Sequence, residues 1–318
     1  MDIVNLAQIK RALDPAAAFA AIERGFAQYS AGETVVPPVG ELLFDEPPGD
    51  MHIKYGYIRG DDHFVVKIAT GFYRNAELGI APQTGLMLVF RQRTGELETI
   101  LLDEGFLTDV RTAIAGAIAA KYLAPRVIEW IGIIGTGQQA RLQIKYLRNV
   151  VTCTNILVWG RSPAAVAAYR DEMERSGFTV ESAADIPSLV DRCRLIVTAT
   201  PSRTPLVDTL RPGTHLTAVG ADTADKNEVR ASVLARADLI VADSISQCRE
   251  RGEIRHALTA GALDASRLVE LGNIVRGLHS GRTTPDQVTI ADLTGVAVQD
   301  IQIARTVLDS LRQQVEVT

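Results

Sequence analysis

Cysteine is scarce. The 318 residues include only Cys153, Cys193 and Cys248, an odd number with no C-x-x-C pair, so neither a disulfide framework nor a structural zinc site is expected. The five histidines never fall at metal-ligand spacing, and no metal is expected. A basic excess is also missing. Lys plus Arg number 33 against 38 Asp plus Glu, giving a net charge of -5 and a pI near 5.6, which argues against nucleic acid as a partner. No stretch reaches the roughly 18 to 20 uninterrupted apolar residues of a membrane span, and the N-terminus, MDIVNLAQIK, has no long apolar core. A soluble, cytoplasmic protein with no membrane partner is expected. The 47% hydrophobic content excludes disorder and fits one large or two ordinary globular domains.

The pattern changes twice along the chain. Asp14 and Pro15 open a helix to about Tyr29, with Phe19, Ile22, Phe26 and Tyr29 on one face and Gly32 after its end. From Thr34 to about Phe106, short β-type runs (GELLF, MHIKYGYI, FVVKIATGF, GLMLVF, ETILL) alternate with turn residues, which predicts an antiparallel sheet. The alanine-rich stretch from Leu107 to Leu123 predicts a helix with Thr108 as N-cap and Pro125 beyond its end. After Pro125, strands such as VIEWIGIIG, NILVWG, RLIVTAT, HLTAVG and DLIVAD alternate with helices, the pattern of a mostly parallel sheet covered on both faces. A final helix follows Val296. The β-α-β run is complete before it, so it is assigned to the N-terminal part. The expected fold class is therefore α/β. A Rossmann dinucleotide-binding domain spans 125–295, beside a discontinuous α+β domain made of 1–124 and 296–318.

Within the β-α-β run, Gly135-Thr136-Gly137-Gln138-Gln139-Ala140 is a G-x-G-x-x-A between an apolar strand and a helix. Gly135 permits a tight turn, Gly137 lets backbone approach a pyrophosphate, and Ala140 lets helix and strand pack closely. The helix N-terminus offers unpaired N–H groups and the positive end of its dipole. The next strand ends in Gly160-Arg161-Ser162, where an NAD site would place an acid for the 2'-hydroxyl. Arg161 and Ser162 suit a 2'-phosphate, or Arg161 stacks on adenine, so NAD against NADP stays open. Thr200 and Val219 stand at the ends of later strands, where ligands of such sheets bind.

Several stretches, in order over most of the chain, resemble the ornithine cyclodeaminase and mu-crystallin family: FVVKIATGFYRN, LLDEGFLTDVRTAIAGAIAAKYLAP, IGIIGTGQQA, TATPSRTPL, VGADTADKNEV, GEIRHAL and LTGVAVQD. The resemblance implies a homodimer whose discontinuous domain binds substrate and dimerises, and whose Rossmann domain holds NAD(P). It makes Lys67 the family's catalytic-site lysine and Arg111 the arginine that grips a substrate carboxylate. Lys54 stands where some relatives have a second carboxylate-binding arginine. It likewise makes Asp222 the acid beside the substrate's amino group, which mu-crystallin-like relatives lack. Thr84 lies in a loop, Ala81 to Gly85, without the histidine many relatives carry there, and is a candidate substrate contact. Thr112 and Thr294 correspond to positions near the nicotinamide or phosphates. His256 in GEIRHAL reads as structural.

Residue chemistry points the same way for two of these positions. A lysine in an otherwise apolar strand costs free energy unless paired or functional. Read as lying in the first turn of its helix, Arg111 combines helix dipole and guanidinium toward one anion. The leading expectation is an NAD(P)-dependent oxidoreductase acting at the α-carbon of a small amino or imino acid. Its form is a pyrroline-2-carboxylate-type ketimine reductase or an alanine-dehydrogenase-like enzyme. The alternative is a cyclodeaminase, which oxidises L-ornithine to an imine, lets the δ-amine displace ammonia and returns the hydride to give L-proline. A third reading is a mu-crystallin-like binder without turnover.

Overall fold

The computed structural model describes residues 1–316, and the chain divides into two compact units. Met1–Arg111 and the segment from Val296 form the first, Thr112–Gly295 the second. The sequence pattern divides the chain after Ala124; the contacts divide it between Arg111 and Thr112, within a helix.

In chain order, the elements up to that division are β1 (Asp2–Asn5), α1 (Leu6–Ala12), α2 (Pro15–Ser30), β2 (Thr34–Val35), β3 (Gly40–Phe44), β4 (Gly49–Ile58), β5 (His63–Gly71), β6 (Gln83–Arg91), β7 (Leu97–Leu102) and the start of α3 (Phe106–Leu123). The second unit adds β8 (Ile131–Ile134), α4 (Gln138–Leu147), β9 (Asn155–Trp159), α5 (Pro163–Arg175), β10 (Thr179–Ser182), α6 (Ile186–Arg192), β11 (Leu195–Thr198) and β12 (His215–Ala218). It continues with α7 (Ala231–Arg236), β13 (Leu239–Ala242), α8 (Ile245–Cys248), α9 (Gly252–Thr259), β14 (Leu268–Glu270), α10 (Leu271–Val275) and β15 (Thr289–Asp292). Helix α11 (Ala297–Glu316) belongs to the first unit.

The first unit is a sheet in the order β1-β7-β6-β5-β4-β2, with β3 also on β4. Strands β2 to β7 pair antiparallel, as the turn-punctuated pattern predicts. Strand β1 runs parallel to β7, an element the sequence reading did not assign. Alternation sends Val65 and Lys67 of β5, Met87 and Val89 of β6 and Leu101 of β7 inward, and α11 packs on β4 and β5. Helix α2 starts as its sequence predicts, with Asp14 Oδ1 accepting from Ala16 N at 2.9 Å. Helix α3 does not. It begins at Phe106 rather than after Thr108, and Asp103 Oδ2 accepts from Leu107 N at 2.8 Å. Gly105, at φ 86, makes the turn that brings this upstream acid to the helix start.

The second unit is an α/β fold on an all-parallel sheet, ordered β10-β9-β8-β11-β12-β15-β13-β14. Strands β8, β11, β12, β13 and β15 are buried at all four residues, which explains the apolar runs of β8, β11 and β13. The order reverses direction at β8 and β11. Such a reversal leaves a crevice beyond the strands' carboxyl ends.

Candidate functional site

In the second unit, a cavity of about 250 Å³ opens at that crevice. Its lining includes Gly135, Thr136 and Gly137 after β8, Gly160, Arg161 and Ser162 after β9, and Thr200 after β11. Gly135 has φ 125, and a Cβ there would lie 2.5 Å from Ala199 O. Gly137 is the N-cap of α4 and no side chain caps it, so the first-turn N–H groups of α4 keep their binding capacity. A Cβ on Gly137 would meet nothing within 4 Å. The two glycines therefore differ: the first is required by the chain's own backbone, the second keeps space open in front of the helix. Gln138 is exposed, Gln139 half-buried, and Ala140 fully buried against the sheet. Gly160 permits contact between turns, since its Cβ would lie 2.7 Å from Thr136 Cγ2.

Other positions around the crevice have defined partners. Arg161 is exposed at the cavity rim, whereas Ser162 Oγ accepts from Ala165 N at 3.3 Å and caps α5. Thr200 turns its hydroxyl to Glu228 Oε1 at 2.7 Å. Val219 is buried at the end of β12, and its N–H donates to Thr198 O at 3.1 Å. Thr294 Oγ1 donates to Asp243 Oδ1 at 3.1 Å and accepts from Gln247 Nε2 at 2.9 Å. Thr112 lies inside α3, where its carbonyl accepts from Gln143 Nε2 at 3.0 Å. Asp222, half-exposed, pairs with Lys226 Nζ through Oδ1 at 2.7 Å. Arg251 Nη1 donates to the Asp222 carbonyl at 3.2 Å.

In the first unit, Lys54 of β4 and Lys67 of β5 are direct cross-strand partners, 7% and 3% exposed. Both therefore lie on the same, buried face of the sheet. Thr84 pairs with Thr70, three residues along β5 from Lys67. An odd offset puts it on the other face, and it is exposed. Arg111 is the sixth residue of α3, beyond the first turn where the helix dipole acts, so that part of the sequence argument falls away. Its guanidinium is held instead by side chains: Nε donates to Asp300 Oδ1 at 3.0 Å and Nη1 to Gln299 Oε1 at 2.9 Å.

Sequence reasoning missed two groups. Arg141, four residues after Gly137, donates from Nη1 to the carbonyls of Thr136 and Gly137 and from Nε to Glu172 Oε2 at 2.6 Å. It thereby fixes the glycine turn from behind. Glu228 was also missed: it lies within the stretch VGADTADKNEV, but its partners Thr198 and Thr200 stand at the end of another strand, and nothing in the stretch itself points to them. Burial pushes Cys193 up to about 12 and Cys248 well above its ordinary value, so these thiols stay protonated. Among the described residues no group of histidines, cysteines and acids could hold a metal ion, and no helix is long and apolar enough to cross a membrane.

The family model for ornithine cyclodeaminase/mu-crystallin matches residues 2–315. The chain belongs to the ornithine cyclodeaminase/mu-crystallin family. Within curated relatives, an uncharacterized cyclodeaminase of Sinorhizobium fredii is 39% identical over 274 residues, 85% of this chain and 82% of that one. The iminosuccinate reductase of Paracoccus denitrificans is 31% identical over 328 residues, covering 100% of both chains. A solved structure of an archaeal alanine dehydrogenase dimer with bound NAD matches with a TM-score of 0.90 at 28% identity, covering 98% of this chain and 96% of that one.

Proposed function

We propose that this family member is an NAD(P)-dependent oxidoreductase acting at the α-carbon of a small amino or imino acid. Its net chemistry would be reduction of a cyclic ketimine such as pyrroline-2-carboxylate, or an alanine-dehydrogenase-like reaction. One observation carries the reading: the uncapped N-terminus of α4 faces a cavity at the sheet's switch point, behind a glycine whose missing Cβ leaves the space open. The residues present fit a dinucleotide. Backbone N–H groups at Thr136, Gly137, Gln138 and Gln139 suit a pyrophosphate, and Arg161 suits a 2'-phosphate or an adenine face. The Paracoccus iminosuccinate reductase and the archaeal alanine dehydrogenase support the same reaction class.

A bound nicotinamide supplies or accepts the hydride. The chain's own groups do the rest. Arg111, held by Asp300 and Gln299, binds the substrate carboxylate, with Lys54 adding positive charge. Lys67 polarises the substrate or exchanges a proton with it, and Asp222 manages the proton on the substrate nitrogen. In this reading the first unit is the substrate and dimerisation domain and the second the nucleotide domain. A homodimer is supported by the dimeric relative and by the apolar side chains Leu42, Leu43 and Phe44 exposed on β3.

The Sinorhizobium relative's name favours a second reading, a cyclodeaminase, for which the family resemblance implies L-ornithine as substrate. Incubation with L-ornithine and NAD, followed by product analysis, separates the two. A dehydrogenase or reductase forms no proline and ammonia without a net change in cofactor; a cyclodeaminase does.

A further inference from the structure

The loop from Gly220 to Glu228 carries Asp222, and its last residue is fully buried. The Glu228 side chain turns back to the start of its own loop. Oε2 accepts from Gly220 N at 3.0 Å and from Thr198 Oγ1 at 2.9 Å, while Oε1 accepts from Thr200 N and Thr200 Oγ1, each at 2.7 Å. Four donors fill the four acceptor positions of an ionised carboxylate, two on each oxygen. One side chain thus ties the end of β11 to the end of β12 where the chain leaves the sheet. Gly220 is a condition of this contact, because a Cβ there would lie 2.3 Å from Oε2 and 2.3 Å from Thr200 O.

Helix α9, with the arginine before it, holds the same loop from the other side. Glu253 Oε1 accepts from Glu228 N at 2.8 Å, and its Oε2 from Val229 N at 2.9 Å and Asn227 Nδ2 at 2.6 Å. His256 Nε2 donates to Lys226 O at 2.9 Å, Arg255 Nη1 to Ala224 O at 2.7 Å, and Arg251 Nη1 to Asp222 O. Alternate carbonyls along the loop are pinned, which gives the GEIRHAL stretch a physical purpose. Glu228 reaches the cavity lining through its side chain, at Thr200, and the neighbouring Asn227 N–H donates to Ser202 O of the same lining at 2.8 Å.

We propose that Glu228 is a positioning residue, whose carboxylate sets Thr200 at the nucleotide cavity and Gly220 at the root of the Asp222 loop in the geometry that binds dinucleotide. The proposal rests on the nucleotide reading of that cavity. Each carboxylate oxygen receives one backbone N–H, and a backbone donor cannot reverse. An amide in place of the carboxylate would set its NH2 against one of them, leaving a buried donor unpaired. Burial pushes the Glu228 carboxyl up to about 7. The charged groups facing it are also buried acids pushed upward, Glu253 from α9 and Asp292 from β15. Protonation forces a threonine hydroxyl to turn and weakens the tie.

The test is direct titration of NADH and NADPH by nicotinamide fluorescence across about pH 6 to 8, with the whole protein and two variants. The wild type is expected to bind more weakly as pH falls through about 7. Glu228→Gln should raise the Kd by about tenfold or more and flatten its pH dependence. Thr198→Val removes one hydroxyl donor, keeps the buried shape and carries the test if the first variant does not fold. It should raise the Kd by about threefold and move the midpoint of the pH dependence upward. Wild-type affinity and pH profile in a folded variant overturn the positioning role alone. A wild type that binds neither nucleotide overturns the nucleotide reading and this role with it.

Discussion

Arg111 and Asp300 form a buried ion pair, Nε to Oδ1 at 3.0 Å, between residues 189 positions apart in the chain. Asp300 Oδ2 and Gln299 Nε2 are buried with no hydrogen-bond partner among the described residues. Asp103, whose carboxyl burial pushes upward, also feels the Asp300 charge. The guanidinium therefore offsets the buried Asp300 carboxylate, and its loss would harm the fold as well as the site. Arg111→Ala should destabilise the protein by about 3 to 5 kcal/mol, the cost of leaving a buried charge without its partner. Arg111→Lys keeps the charge but not the fork. It is expected to fold and to raise the substrate KM more than about tenfold while leaving NADH affinity unchanged. Steady-state kinetics beside a nucleotide titration checks this, and an unchanged KM removes the carboxylate role.

The two glycines of the turn separate fold from binding. Gly135→Ala forces a side chain onto φ 125 and into Ala199 O, so its melting temperature should fall, with a cost of about 1 to 3 kcal/mol. Gly137→Ala meets no protein atom within 4 Å and should melt like the wild type while binding nucleotide at least about tenfold more weakly. Equal nucleotide affinity in a folded Gly137→Ala variant would sink the pyrophosphate assignment.

This contrast shows how legible the molecule was. The strand-helix alternation and the glycine spacing are local patterns, and they were enough to predict a parallel α/β unit and to locate its crevice. The Asp14 cap and Pro15 were readable for the same reason. The α3 start was not, because Asp103 reaches it across a turn with a positive φ at Gly105, and Thr108 is only the nearest residue of capping type. Glu228 and Asp300 were illegible as partners. Their roles come from pairing over 28 and 189 positions, which no spacing rule encodes. Arg141 acts on backbone carbonyls, and that contact leaves no mark in side-chain chemistry.

Arg161 stands exposed at the cavity rim after β9. Arg161→Ala is expected to weaken NADPH by about tenfold and NADH by less than about twofold, since only the former offers a phosphate to the guanidinium. Parallel titrations decide it. Equal losses mean that the side chain stacks on adenine instead.

Stability should fall as pH rises toward neutrality. Glu228 is pushed up to about 7 from an ordinary 4.5, and Glu253 and Asp292 are pushed well above their ordinary values, in each case chiefly by burial. Between about pH 4.5 and 7 the folded protein keeps protons that the unfolded chain has released. This contribution is therefore full below about 4.5 and lost as pH rises through about 7. For Glu228 alone it is about 3 kcal/mol. Surface acids pushed down by their partners, such as Asp225, act at lower pH. Urea unfolding from about pH 5 to 8 should show a falling midpoint in the wild type and a flatter profile in Glu228→Gln; a rising midpoint contradicts this assignment.

The most direct test of the central claim is a mole-for-mole count of nicotinamide oxidised against amino acid formed, with NADH or NADPH and either pyrroline-2-carboxylate or pyruvate plus ammonia. The account predicts one equivalent of reduced cofactor consumed for each proline or alanine produced. Tight nucleotide binding with no turnover of either substrate, or product formed from L-ornithine with the cofactor balance unchanged, would contradict it.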